Sequence, residues 1–297
     1  MAGRWAWGPT SPSPPGTSCN WQDGTLNGGC SLSVAAGATL NGFGSMALDG
    51  VLTNLGTLNW LGGNIFVANN NANYSGAIWN QAGALIDIRC DQWMGGYWGT
   101  EVLHNAGTLR KSAGIATTNC GLNVVGSGTA EALLGTLRFT SQYTGGISVG
   151  LAGTVAGSGF GNVRFEQSPL LTANLTVKLL QGFQPAVGDE FRVLNYPSAT
   201  VNFGALIGLN LTGGLLLDPQ YDATGLTLVT VADLPTLSIT QVPAGVLLSW
   251  PVKYTGWKLE ASTDLAQWQT IAVGANNSIT EPLLEPERFF RLAKTSP

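Results

Sequence analysis

Apolar and polar residues alternate along this chain in very short runs, and the runs return at a nearly constant step. In Leu137-Arg138-Phe139 and Val163-Arg164-Phe165 the apolar side chains share one face of an extended strand and the arginine takes the other. Such runs follow a glycine: Gly56-Thr57-Leu58-Asn59-Trp60, Gly107-Thr108-Leu109-Arg110-Lys111, Gly135-Thr136-Leu137-Arg138-Phe139 and Gly161-Asn162-Val163-Arg164-Phe165, with a degenerate copy at Gly83-Ala84-Leu85-Ile86-Asp87. These glycines are separated by 27, 24, 28 and 26 residues. A fixed period in this range marks a solenoid, in which each repeat buries its apolar face only against its neighbours. Helix signals are almost absent. The steps Asn54-Leu55-Gly56 and Asn105-Ala106-Gly107 read as tight corners whose residues tolerate positive φ. Three short strands per repeat, joined at such corners, predict an all-β fold: a right-handed parallel β-helix over residues 19–166.

The flanks read differently. Residues 1–18 form a loose leader, since Pro9, Pro12, Pro14 and Pro15 forbid regular pairing. Over 167–232 the period lapses while strands continue: Leu171, Ala173, Leu175, Val177 and Leu179 alternate with Thr172, Asn174, Thr176 and Lys178. A solenoid needs a cover for its last open edge, and this segment is read as the closing region. After a hinge at Asp233-Leu234-Pro235, candidate strands at Leu237–Val242, Val246–Trp250, Trp257–Ser262, Trp268–Ala272 and Arg288–Ala293 predict a small immunoglobulin- or fibronectin-like β-sandwich over 236–297, with Trp250, Trp257 and Trp268 in its core.

Composition narrows the function classes. Only 10% of the 297 residues are charged, against about 25% in ordinary globular domains, and 41 are glycine. No unbroken apolar run reaches the length of about 18 residues that a membrane-spanning helix needs. A net charge of -4 provides no basic face for nucleic acid, and no recognition-helix, P-loop or RNA-binding motif is present. No cofactor is expected. Cys19, Cys30, Cys90 and Cys120 form no Cys-x-x-Cys pair and His104 is the single histidine, so no metal site is expected. The cysteines allow a Cys19–Cys30 and a Cys90–Cys120 disulfide, with buried free thiols as the alternative. No apolar signal segment follows Met1-Ala2-Gly3-Arg4-Trp5; either an export signal has been removed or the chain begins inside a longer protein.

The Asn-x-Gly-Thr-Leu cassettes, followed by Leu175 to Leu194 with Pro185, Gly188-Asp189-Glu190-Phe191-Arg192-Val193-Leu194, resemble the passenger regions of autotransporter-like bacterial surface proteins. The ending Trp257-Lys258-Leu259-Glu260-Ala261-Ser262-Thr263-Asp264-Leu265, with Trp268 and Arg288-Phe289-Phe290-Arg291-Leu292, is similar to a fibronectin-like domain that closes many secreted bacterial proteins. The first resemblance implies a β-helix that is secreted or displayed at the cell surface. Nothing after Val231 could form the membrane barrel in which an autotransporter ends, a departure that leaves the mode of anchoring open.

Chemistry-bearing positions are few. Arg110, Arg138 and Arg164 each sit three residues after a cassette glycine, so a parallel stack would align them at about 4.8 Å intervals. Such a row would bind an anionic partner such as an acidic polysaccharide, unless Glu166, Asp87 or solvent screens it. The aromatic segment Trp93-Met94-Gly95-Gly96-Tyr97-Trp98 supplies a sugar-stacking candidate in Trp93, Tyr97 and Trp98, or else plugs the interior. Asp87, Arg89 and Asp91 share one strand face, but i and i+4 on a strand lie about 13 Å apart. Glycoside hydrolysis places its two carboxylates about 5 to 9.5 Å apart, so a partner from a neighbouring coil would be needed. Otherwise the acids form an outward ion pair with Arg89. No Ser or Cys has a visible His and acid partner, and no catalytic residue is assigned. The sequence therefore predicts a non-enzymatic extracellular or cell-surface β-solenoid, an adhesin or scaffold, whose partners are extracellular polysaccharide or cell-surface components. The alternatives are a carbohydrate-binding protein and a β-helical polysaccharide lyase or hydrolase.

Overall fold

A computed structural model of the chain describes residues 16–71, 73–198, 200–254, 256–274, 276–282 and 287–294. Most of the expected leader, residues 1–15, lies outside the described residues. The described residues hold strands and no helix, so none is long and apolar enough to cross a membrane. Two compact units divide the chain, Met1–Val231 and Ala232–Pro297.

In the first unit, strands of two to eight residues are dealt in turn to three long sheets. The first sheet runs Ser18–Trp21, Thr39–Gly42, Thr57–Trp60, Leu85–Ile88, Thr108–Lys111, Thr129–Ala132, Gly146–Leu151, Leu175–Leu179 and Leu206–Ile207, all parallel. The second begins Gly24–Leu26, Met46–Leu48, Ile65–Val67, Trp93–Gly96, Thr117–Cys120, Thr136–Phe139, Asn162–Phe165 and Glu190–Asn195. It ends with Gly225–Ala232, antiparallel to its neighbour, and Leu215–Asp222. The third holds Ser31–Val34, Val51–Asn54, Ala77–Asn80, Val102–Asn105 and Asn123–Val125. Parallel pairing thus continues past residue 166 although the cassette stops. Alternation sustains a strand, and Leu175 and Val177 still fill inward positions against Ile147 and Val149.

In-register pairing turns alternation into columns. Met46, Ile65, Met94, Cys120, Phe139 and Phe165 stack along the second sheet, and Leu40, Leu58, Ile86, Leu109, Ala130 and Ile147 along the first. All are buried, and they join the inward residues of the third sheet in one contiguous apolar cluster. Trp60 belongs to it, its indole N–H donating to the Gly63 carbonyl at 2.8 Å.

The Asn-x-Gly steps do not serve positive φ as expected: neither Asn54, Gly56, Asn105 nor Gly107 has it. The glycines are required by close approach instead. A Cβ on Gly56 would fall 2.3 Å from the carbonyl oxygens of Ala35 and Ala38, and one on Gly107 2.4 Å from that of Ala84. The asparagines form a buried amide ladder. Asn54 Nδ2 donates to Asn80 Oδ1 at 2.9 Å and Asn80 Nδ2 to Asn105 Oδ1 at 2.8 Å.

The second unit consists of two three-stranded antiparallel sheets. One orders Ser238–Val242, Gly245–Ser249 and Ser278–Glu281, the other Gln269–Ile271, Trp257–Ser262 and Phe289–Lys294. Its core is Leu248, Trp250 and Leu259, backed by residues such as Tyr254, Phe290 and Leu292. Of the three tryptophans expected there, only Trp250 is central. Trp268 instead takes the Arg291 guanidinium over its ring face, 4.0 Å from the ring centre, a cation–π contact available at the surface and not in an apolar core.

Candidate functional site

The expected three-arginine row does not form, because the cassette changes sheets. It occupies the first sheet after Gly56, Gly83 and Gly107 and the second after Gly135 and Gly161. The register partner of Thr108 is Thr129, so Gly128, not Gly135, is the counterpart of Gly107. Arg110 consequently stands between Asp87 and Glu131. Its Nε donates to Glu131, which also accepts from Lys178 Nζ at 2.5 Å and Ser148 Oγ at 3.2 Å. Burial works to raise the Glu131 pKa, but the hydrogen bonds from Lys178 and Arg110 outweigh it and hold the carboxyl below its usual range.

Arg138 and Arg164 are register partners on the outward face of the second sheet, and Arg192 comes from the next strand. With Asn119, Asn162 and Asn195 they line a cleft of about 520 Å³. Glu166 Oε1 accepts from Arg138 Nε and from Arg164 Nε, each at 2.7 Å. Asp222 takes Arg192 in a two-pronged pair. The Arg138 hydrogen bond lowers the pKa of Glu166, and the Arg192 pair holds Asp222 well below the carboxylate range. Three guanidiniums therefore meet two carboxylates, and the cleft keeps a positive surplus. Asn119 Oδ1 accepts from Arg138 Nη1 at 3.1 Å and Asn195 Oδ1 from Arg192 Nε at 3.2 Å, which fixes the orientation of both forks.

The aromatic segment lies on the same sheet. Trp93 pairs in register with Asn119, and Asn119 with Arg138, so one outward column reads Trp93, Asn119, Arg138, Arg164, Asn195. Trp93 folds over Gly95, where a Cβ would come within 2.1 Å of the indole. Phe66 packs 5.2 Å from Trp93 and stacks 5.9 Å from Tyr97. Tyr97 lies 5.8 Å from Trp98, and Trp98 5.6 Å from Tyr74. Tyr97 and Trp98 are 67% and 46% exposed, so these rings are not interior plugs. One buried carboxylate holds their loop: Glu101 Oε1 accepts the backbone N–H groups of both residues at 3.0 Å.

The remaining candidates disperse. Asp87 faces Arg110 and Asn59 across the first sheet, while Asp91 lies past the end of that strand. Asp91 Oδ1 accepts from the fully buried Lys111 Nζ at 2.6 Å, not from Arg89, which is exposed. His104 stacks on Trp79 with ring centres 3.7 Å apart, and burial lowers its pKa. All four cysteines are free. Cys120 is a core residue whose register partner one rung back is Met94, not Cys90, which separates the expected pair. Cys19 aligns with Leu40 on the first sheet whereas Cys30 leads into the third, and neither is bridged. Among the described residues no group of three or more His, Cys, Asp and Glu is placed to hold a metal ion.

Sequence reading missed Arg192, Glu101 and Lys111 as site or support residues. Arg192 carried a usable signal, since Phe191-Arg192-Val193 repeats the apolar-Arg-apolar pattern of the cassettes. Lys111 carried one too, since it takes the inward cassette place that Trp60 and Phe139 fill, whereas Glu101 carried none beyond being an isolated charge. Comparison of the chain with protein-family models, with curated proteins and with solved structures gives no match.

Proposed function

We propose that the first unit is a right-handed parallel β-helix followed by a small β-sandwich, and that the protein is a non-enzymatic extracellular or cell-surface adhesin that holds an acidic polysaccharide in the arginine cleft. Rotation of the chain among three sheets with one shared apolar cluster supports the β-helix, and right-handed crossovers are the rule between parallel strands. The low charge and the autotransporter-like cassettes support the location. The observation that carries the binding role is the sharing of one carboxylate, Glu166, by Arg138 and Arg164, with Arg192 in the same cleft. Guanidinium forks left without a full complement of protein acids suit sugar carboxylates.

The same acids speak against a glycoside hydrolase working in this cleft. A glycosidase keeps one carboxyl protonated, whereas Glu166 and Asp222 are both held ionised by arginine. The test is a glycan-array screen at low and moderate salt with wild type, Arg138→Ala/Arg164→Ala and Arg110→Ala. Salt-sensitive binding to acidic glycans, lost in the double variant and retained in Arg110→Ala, is expected. Absence of binding to every acidic glycan overturns the proposal.

A further inference from the structure

We infer that the arginine cleft is one end of a longer track whose other end is the aromatic platform, and that its ligand is an extended β-linked polyuronate; this rests on the acidic-glycan reading above. The column Trp93, Asn119, Arg138, Arg164, Asn195 spans five rungs of one sheet face. At about 4.8 Å per rung the distance from first to last is about 19 Å. An extended polyuronate run along this direction presents a carboxylate edge and an apolar C–H face at each sugar. The column joins those two features: at one end Trp93 packs on Phe66, which stacks on the exposed Tyr97 with Trp98 beyond it, and further along stand the guanidiniums of Arg138, Arg164 and, beside the column, Arg192.

Between the two ends the sheet face is low, with the Trp93 indole lying over Gly95 and no side chain at Gly121. Beside Asn119 the sheet carries Gly121, whose amide donates to the Met94 carbonyl and whose Cα side faces Gly95. A Cβ there would meet only ordinary contacts, the nearest being Thr140 Oγ1 at 3.4 Å, and Gly121 does not have positive φ. Glycine is therefore not demanded by the backbone at this position, and its small size leaves the path clear. The aromatic end is also held rigid before any ligand arrives, because Glu101 fixes the Tyr97 and Trp98 amides. Preorganised rings lose little freedom on binding.

Gly121→Leu would block the path while leaving both ends intact. Calorimetric titration with β-1,4-linked mannuronate hexamer, mannuronate dimer and cellohexaose, on wild type, Tyr97→Ala/Trp98→Ala, Gly121→Leu and Arg138→Ala/Arg164→Ala, tests the track. The hexamer should bind at least about tenfold more tightly than the dimer, the gain expected of a well-made aromatic contact. Cellohexaose should bind far more weakly than the mannuronate hexamer. Tyr97→Ala/Trp98→Ala and Gly121→Leu should each bring the hexamer down to the dimer's affinity and leave the dimer unchanged, and the arginine variant should lose both. Thermal midpoints within a few degrees of wild type confirm folding. Equal affinities for hexamer and dimer, or a hexamer affinity untouched by the aromatic and Gly121 variants, overturns the track and leaves the arginine cleft standing. Failure of wild type to bind either mannuronate overturns the track, while the acidic-glycan reading falls only if the array also shows no acidic ligand.

Discussion

Lys111 occupies an inward position that its neighbours in the column fill with Ile88 and Ala132. Its ammonium is fully buried and meets Asp91 at 2.6 Å, Thr118 Oγ1 at 3.0 Å and the carbonyls of Cys90 and Ala113 at 3.1 Å. A buried cation is tolerable only when so surrounded, and removing its counter-charge costs more than removing the charge itself. Asp91 is about a third exposed and can rehydrate; Lys111 cannot. Asp91→Ala should therefore lower stability by about 2–4 kcal/mol, and Lys111→Met, which fills the same space without charge, by less. Urea denaturation of the two variants checks the order. The reverse order would mean that the neutral acceptors alone carry the ammonium.

At the scale of the element, the asparagine ladder ties the third sheet to the start of the first. Asn80 is its middle rung: Oδ1 accepts from Asn54, while Nδ2 donates to Asn105 and to the Thr108 carbonyl. Asn105 ends the ladder, its own Nδ2 buried without a partner. Asn80→Ala should cost about 2–4 kcal/mol, since it strands buried polar groups on both sides, and Asn105→Ala clearly less. Chemical denaturation resolves the difference, and equal losses would refute cooperation along the ladder. Alternation made the strands and their inward faces legible at Leu58, Trp60, Leu137, Phe139, Val163 and Phe165. Sheet membership was not legible, because Gly107 and Gly135 head identical Gly-Thr-Leu-Arg cassettes on different sheets, whereas the true counterpart heads Gly128-Thr129-Ala130-Glu131. Local sequence encodes which side a residue faces; pairing register depends on loop lengths between strands, which the cassette does not record. The site shared that fate: Arg138, Arg164 and the aromatic segment could be named, but their common column could not, and Arg110 was drawn in by likeness of motif alone.

For the molecule as a whole, the few ionisable groups make stability depend on pH in a definite way. Glu131, Glu166 and Asp222 have pKa values lowered in the fold. Their contribution is present above the ordinary carboxylate range near 4 and is lost as pH falls through the lowered values. Burial lowers the pKa of His104 as well, so that residue gives a small loss as pH drops through about 6.5. The thiols act at the other limit. Burial raises Cys90 to about 11 and Cys120 to about 12. Their neutral forms favour the fold below the ordinary thiol value of 9.0, and that advantage fades as pH rises above it. The thermal midpoint should thus be level between about pH 7 and 8.5 and fall on both sides. Circular dichroism melts from pH 3 to 10 on wild type, Glu131→Gln and Cys120→Val check both limbs. Glu131→Gln removes the shared counter-charge of Arg110 and Lys178, both exposed enough to rehydrate, so it should lower stability on the plateau by about 1 kcal/mol or less and make the acid limb shallower. Cys120→Val puts a slightly larger apolar side chain between Met94 and Phe139 and should make only the alkaline limb shallower, Cys90 still contributing. An acid limb as steep in Glu131→Gln as in wild type would show that this carboxylate does not link protonation to folding.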